Sequence, residues 1–227
     1  MKRLRVGAWC GLSYRTPTRV ASLPMNTVAS SRVLADLIPF SQKRESALLR
    51  DAVLVTLGVL LTAVSAQVEI PLGFTPVPLT LQTFSVLLVG AVLGANRGAL
   101  SMGAYWMCGI VGLPFYSGGG SGWETATGAT MGYLLGFIVA AWAVGRLAER
   151  KQDRNFTTSL PAMLLGSAII YSFGAAWLSI HLGVPVATGD ENAISLGVAP
   201  FLVGDALKTV VAAACTSTVW AAVSRKN

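Results

Sequence analysis

Charge is what this sequence has least of. Only 12% of its 227 residues are Asp, Glu, Lys or Arg, about half the usual quarter of a soluble domain, while 53% are hydrophobic. That balance excludes an ordinary soluble domain and describes a chain that crosses a membrane several times. Histidine is scarcer still: the single one, His181, excludes a multi-histidine metal site. Three cysteines, Cys10, Cys108 and Cys215, form an odd and scattered set, which gives no disulfide framework and no metal-ligand spacing. There is no GxxxxGK[ST] phosphate loop. Basic residues do outnumber acidic ones, 17 to 10, but their placement argues against nucleic acid as the partner.

The hydrophobic residues fall into six segments, roughly 48–68, 79–95, 98–113, 129–148, 160–182 and 199–223. The second and third are short for the roughly 20 residues of a bilayer span, so they are expected to be tilted, broken or partly re-entrant. With the N-terminus inside, the inner segments carry Lys43, Arg44 and Arg50, then Arg97, then Arg146, Arg150, Lys151 and Arg154, then Arg225 and Lys226. The outer loops carry Glu69, Glu124, Asp190 and Glu191 and no Lys or Arg. This positive-inside pattern predicts an all-α, multi-pass membrane protein with both termini cytoplasmic, and it explains the basic balance. Residues 1–45 differ: they are rich in Arg and Ser, with Asp36 as the first acidic residue. Their composition fits an organellar transit peptide, an upstream start with Met25 as the true first residue, or a disordered cytoplasmic tail. The last two are preferred, and residues 46–227 are read as one six-helix domain.

The last segment, APFLVGDALKTVVAAACTSTVW, carries Asp205 and Lys208. Three residues apart on a helix, they share a face. Each such charge costs roughly 2.5–3.5 kcal/mol at the centre of a membrane helix, so the pair must face the protein interior or a polar cavity. A structural ion pair and the floor of a ligand pocket both satisfy that need. The outer loops add the rest. In EIPLGFTPVPLTLQTF, Pro71, Pro76 and Pro78 keep the chain extended, and Thr80, Gln82 and Thr83 then enter an apolar segment. In LPFYSGGGSGWETATGATMGY, glycines allow unusual backbone angles, and Phe115, Tyr116 and Trp123 offer either a wall or an interfacial aromatic belt. Two structured loops and a charged pair point to one outward-facing pocket. Gly128, Gly132, Gly136 and Ala140 recur at fourth positions and permit close helix packing; Gly58, Thr62 and Ala66 form a looser series that faces another helix or another protein.

FTPVPLTLQTF, LLVGAVLGANRGAL, GIVGLPFYSGG, GATMGYLLGFIVAA and APFLVGDALK, in this order, resemble the BioY family, the biotin-specific S components of energy-coupling factor (ECF) transporters. The resemblance covers about residues 50–222. It implies the ECF S-component fold of six membrane helices in the cell membrane and capture of biotin from outside. It also implies an EcfT-type coupling subunit and two ATP-binding cassette ATPases as partners. By that resemblance the chain is not an enzyme and binds no cofactor; ATP is used by the partners. Biotin is a bicyclic urea on an apolar chain ending in a carboxylate, and its pocket needs donors and acceptors, apolar walls and a group for the carboxylate. Lys208 is expected to neutralise the carboxylate or to hold Asp205 in place. Thr80, Gln82 and Tyr133 are candidate polar contacts, and Trp123 and Phe74 candidate wall or lid. Two departures stand out: Ala129 replaces the proline usual before helix 4, and no arginine occurs in 117–122. For docking on EcfT, S components often carry Ala-x-x-x-Ala in helix 1, and the nearest spacing here is Ala52 to Thr56. Other readings are a stand-alone transporter without the ATPases, an S component for thiamine or riboflavin, and a rhomboid-like serine protease built on Ser121 of GGSG with His181.

Overall fold

The structure is a computed structural model that describes residues 33–37 and 44–225. Six long helices carry the fold: α1 Arg44–Gln67, α2 Gln82–Leu93, α3 Ala95–Ile110, α4 Met131–Glu149, α5 Phe156–Leu182 and α6 Leu202–Arg225. Four stretches are long and apolar enough to cross a membrane: Ser46–Gln67, Met131–Glu149, Phe156–Leu182 and Ala193–Arg225. Their outward faces are apolar as well. Leu48, Val64, Ile180, Leu207 and Val203 are among the most exposed side chains, which suits lipid and not water. Helices α2 and α3, 12 and 16 residues long, are shorter than a bilayer span.

Both short helices begin later or earlier than the apolar segments suggest. Residues 79–80 are not helix but the second strand of a small antiparallel pair, β1 Glu69–Ile70 with β2 Leu79–Thr80, in register Glu69↔Thr80 and Ile70↔Leu79. Pro76 and Pro78 hold the chain extended up to that strand. At the other end α2 stops at Gly94, whose φ of 85° is open to glycine, and α3 starts at once. The chain reverses so tightly there that a Cβ on Gly98 would lie 3.1 Å from Gly90 Cα.

Small residues set the helix contacts. Gly136 lies so close to α5 that a Cβ would sit 3.0 Å from Ile170 Cα, and Gly132 is packed against Phe173 and Trp177. The Gly58, Thr62, Ala66 series turns inward, with Thr62 and Ala66 fully buried and Gly58 against Ser101. It therefore faces α3, not a protein partner; Ala52 and Thr56 are exposed on the other side of α1.

The two ends of the bundle differ. At one end Arg97 bridges Asp36 and Asp51, both at 3.0 Å, and Arg146 pairs with Glu149 at 3.1 Å. Glu149 Oε1 also accepts from Ala95 N at 3.0 Å, capping α3. Part of the N-terminal stretch is ordered here. Residues Leu34–Leu37 form a helical turn, with Val33 and Ala35 buried, so the boundary of the folded unit lies before residue 46. The other end carries the strand pair, the glycine-rich loop and the segment before α6.

Candidate functional site

Asp205 is in the first turn of α6, where the helix N-terminus favours a negative charge. The 3₁₀ turn Ala199–Phe201, with proline in its first turn, leads the chain into that position. The carboxylate is 5% exposed and fully partnered. Lys208 Nζ donates to Oδ1 at 2.6 Å, Thr83 Oγ1 donates to Oδ1 at 3.2 Å, and Tyr171 OH donates to Oδ2 at 2.6 Å. Lys208 Nζ also donates to the Thr80 carbonyl at 2.6 Å. This satisfies both members of the pair, as an ion pair in a low-dielectric interior requires. Lys208 thus meets Asp205, the partner foreseen for it on the same helix face.

These groups form one end of a cavity. It holds about 70 Å³ of free space, well short of the roughly 300–1,000 Å³ of small-molecule sites. Its polar end is Asp205, Lys208, Thr80, Thr83, Gln82 and Tyr171; its apolar walls include Val77, Leu134, Phe137 and Phe201. Ser117, Thr125 and Thr130 lie on its rim and also border a second, more open depression with Glu69 and Pro71.

Five of the seven expected residues line this cavity: Thr80, Gln82, Tyr133, Asp205 and Lys208. Tyr133 does so although its helix starts without the proline, and its OH donates to the Gly197 carbonyl at 2.7 Å, which ties α4 to the segment before α6. Phe74 and Trp123 stand apart. Neither lines the cavity, and they are 64% and 66% exposed, because the strand pair turns Phe74 outward and Trp123 sits in the short helix Gly122–Ala126. The glycine-rich loop is closed instead by Tyr116, whose OH donates to the Trp106 carbonyl at 2.6 Å; burial pushes its phenol up to about 12. Gly118 and Gly119, with φ of 64° and 70°, let the loop turn back so that Tyr116 N donates to the Gly120 carbonyl at 3.1 Å.

Tyr171 is a cavity residue outside all the motifs, and Phe137 and Phe201 are cavity residues within two of them that were not singled out. For Tyr171 a signal existed: a phenol in the middle of an apolar span needs a hydrogen-bond partner. Ser121 and His181 are not joined by a hydrogen bond among the described residues; His181 stacks with Trp177 at 6.3 Å between ring centroids.

A helical membrane protein with a polar-ended cavity near one end of its bundle is thus the class. Residues 35–225 match the model of the BioY family, and the chain belongs to that family. It is 40% identical over 153 residues to the biotin transporter BioY of Thermotoga maritima, covering 67% of this chain and 85% of the relative. It is 36% identical to the biotin transporter BioY of Rhizobium etli, over 72% of this chain and 89% of the relative. To the probable biotin transporter BioY of Pyrococcus horikoshii it is 37% identical, over 72% and 91%. Among solved structures it resembles the S-component for biotin from an ECF-type ABC transporter, with a TM-score of 0.66 and 27% identity, covering 82% of this chain and 96% of that one.

Proposed function

We propose that this chain captures biotin and is the substrate-binding subunit through which an ECF-type transporter takes up the vitamin. The observation that carries the reading is the convergence of Thr80, Gln82, Tyr133, Asp205 and Lys208, drawn from separate family-like motifs, on one cavity. The chain crosses the cell membrane six times with both termini in the cytoplasm, so that the acidic end and the cavity face outward. An EcfT-type subunit and two ABC ATPases supply the energy, and no chemistry is asked of this chain.

Charge counting suggests how the ligand lies. Lys208 is already matched by Asp205 at 2.6 Å. A second carboxylate gains little from a cation so paired, whereas a neutral cyclic urea gains from a cluster that offers carboxylate lone pairs beside ammonium, hydroxyl and amide donors. The ureido ring therefore sits at the Asp205 end, the aliphatic chain runs along Leu134, Phe137 and Phe201, and the carboxylate points toward the hydroxyls of Ser117, Thr125 and Thr130.

Titration of the detergent-purified protein with radiolabelled biotin tests both statements. Saturable binding is expected, with competition by biotin methyl ester nearly as strong as by biotin itself. No binding would remove the substrate. A methyl ester that competes far more weakly, with the gap vanishing in Lys208→Met, would reverse the ligand in the cavity.

A further inference from the structure

Gln82 reaches the cavity, but it is held from behind by a residue that does not line it. Tyr105 of α3 is 1% exposed. Its OH donates to the Phe115 carbonyl at 2.9 Å and accepts from Gln82 Nε2 at 2.8 Å. A phenol has one proton, and that proton is committed to a carbonyl, which can only accept. Toward Gln82 the Tyr105 oxygen must therefore be the acceptor. Gln82 must turn its NH2 to Tyr105 and its C=O elsewhere, and Thr80 Oγ1 meets that oxygen at 3.0 Å. The chain Phe115 C=O, Tyr105 OH, Gln82 amide, Thr80 OH runs in one direction only, so the amide flip that is usually ambiguous is fixed here by the backbone of another loop. Among the described protein contacts one amide N–H and one Oε1 lone pair remain uncommitted, a donor and an acceptor of the kind that complements one edge of a cyclic urea.

We infer that Tyr105 is a positioning residue for ligand recognition: by accepting from Gln82 it fixes which edge of that amide faces the cavity, and so selects a ligand that presents a donor next to an acceptor. This rests on the biotin reading above. It adds a residue outside the cavity to the determinants of specificity, and it links the Phe115 end of the glycine-rich loop to the ligand.

Biotin titration of four proteins, wild type, Tyr105→Phe, Gln82→Met and the double variant, decides it. Each single variant should bind about five- to tenfold more weakly, the scale of one or two lost hydrogen bonds. The double should be no weaker than Gln82→Met, because Tyr105 acts through Gln82 and the two effects cannot add. Additive losses would mean that Tyr105 merely supports the loop, and Tyr105→Phe with wild-type affinity would mean that the relay is idle; either overturns the inference. Should Tyr105→Phe fail to fold, exchange of the Gln82 side-chain N–H protons in ligand-free, 15N-glutamine-labelled wild type replaces it: one protected proton, held by Tyr105, is expected, and two that exchange alike overturn the inference. Wild-type protein that binds no biotin at all would instead strike the reading on which the inference depends.

Discussion

Asp205 at the start of α6 and Asp153 beside its end are both buried, 5% and 2% exposed, yet they are treated in opposite ways. Asp205 has a counter-ion and two hydroxyl donors, and it borders a cavity. Among the described residues Asp153 accepts from the neutral Trp220 Nε1 on Oδ2 at 2.6 Å, and its Oδ1 is buried without a hydrogen-bond partner. Burial pushes the Asp153 carboxyl up, against the smaller opposing pulls of Trp220 and of Arg154, whose guanidinium lies 4.0 Å from the Trp220 ring centroid. Between the two carboxylates α5 and α6 are joined by hydroxyl pairs, Ser167 to Thr209 at 3.1 Å and Ser159 to Thr216 at 3.0 Å. One helix pair thus carries a saturated polar cluster that can exchange partners with a ligand and, at its far end, a carboxylate that fastens a tryptophan. The lesson is that burial of a charge does not by itself mark a binding site; a cavity and a set of exchangeable donors do.

The comparison breaks most sharply at Asp205. Asp205→Asn leaves the Lys208 ammonium buried without its counter-charge. Removing one partner of such a pair costs about 3–5 kcal/mol, and biotin affinity should fall at least about a hundredfold in a radioligand titration. Asp153→Asn should leave that affinity unchanged and act on stability instead. A carboxyl whose folded value is raised keeps its proton in the folded chain at pH values where the unfolded chain has lost it. Stability from this group is therefore highest at low pH and falls as pH rises from the ordinary carboxylate value, about 4, through the raised one. Asp153→Asn should remove that part of the slope, read as unfolding midpoints in detergent across pH.

Smaller effects sharpen the contrast. Trp220→Phe takes away the indole donor on Asp153 and should lower stability by about 1–3 kcal/mol with no change in binding. Tyr171→Phe removes one of three donors to Asp205 and should weaken biotin about fivefold, near 1 kcal/mol, with little change in the unliganded midpoint. Ser159→Ala, midway between the two carboxylates, should cost only about 0.6 kcal/mol, the average for a hydrogen bond between membrane helices, and leave binding alone. Loss of binding in Trp220→Phe or Ser159→Ala would show that the two ends are not independent.

Much of the fold was legible in the sequence because lipid is a demanding solvent. Apolar segments had to be helices, since no backbone group can be left unpaired there, and among the described residues each apolar segment holds a long helix, four stretches being long and apolar enough to cross a membrane. The edges of the short helices were not legible: Pro78 and Gly94 decide them, one by ending in a strand pair and the other by a backbone angle. The site was legible as the pairing of Asp205 with Lys208, a local matter of spacing on one helix. Its remaining partners were not, because Tyr171, Thr83 and the Thr80 carbonyl lie 34, 122 and 128 positions away in the chain.

What the sequence by itself determined, then, is the solvent, the helical class, the asymmetry of charge between the ends and the family, each set by composition or by short runs of neighbours. What only the tertiary structure decided is which polar groups meet. It turned Phe74 and Trp123 outward, brought Tyr171 in, and placed Tyr105 behind Gln82. Those choices depend on helix packing at glycine contacts and on the direction of shared protons, and neither is written in any one stretch of chain.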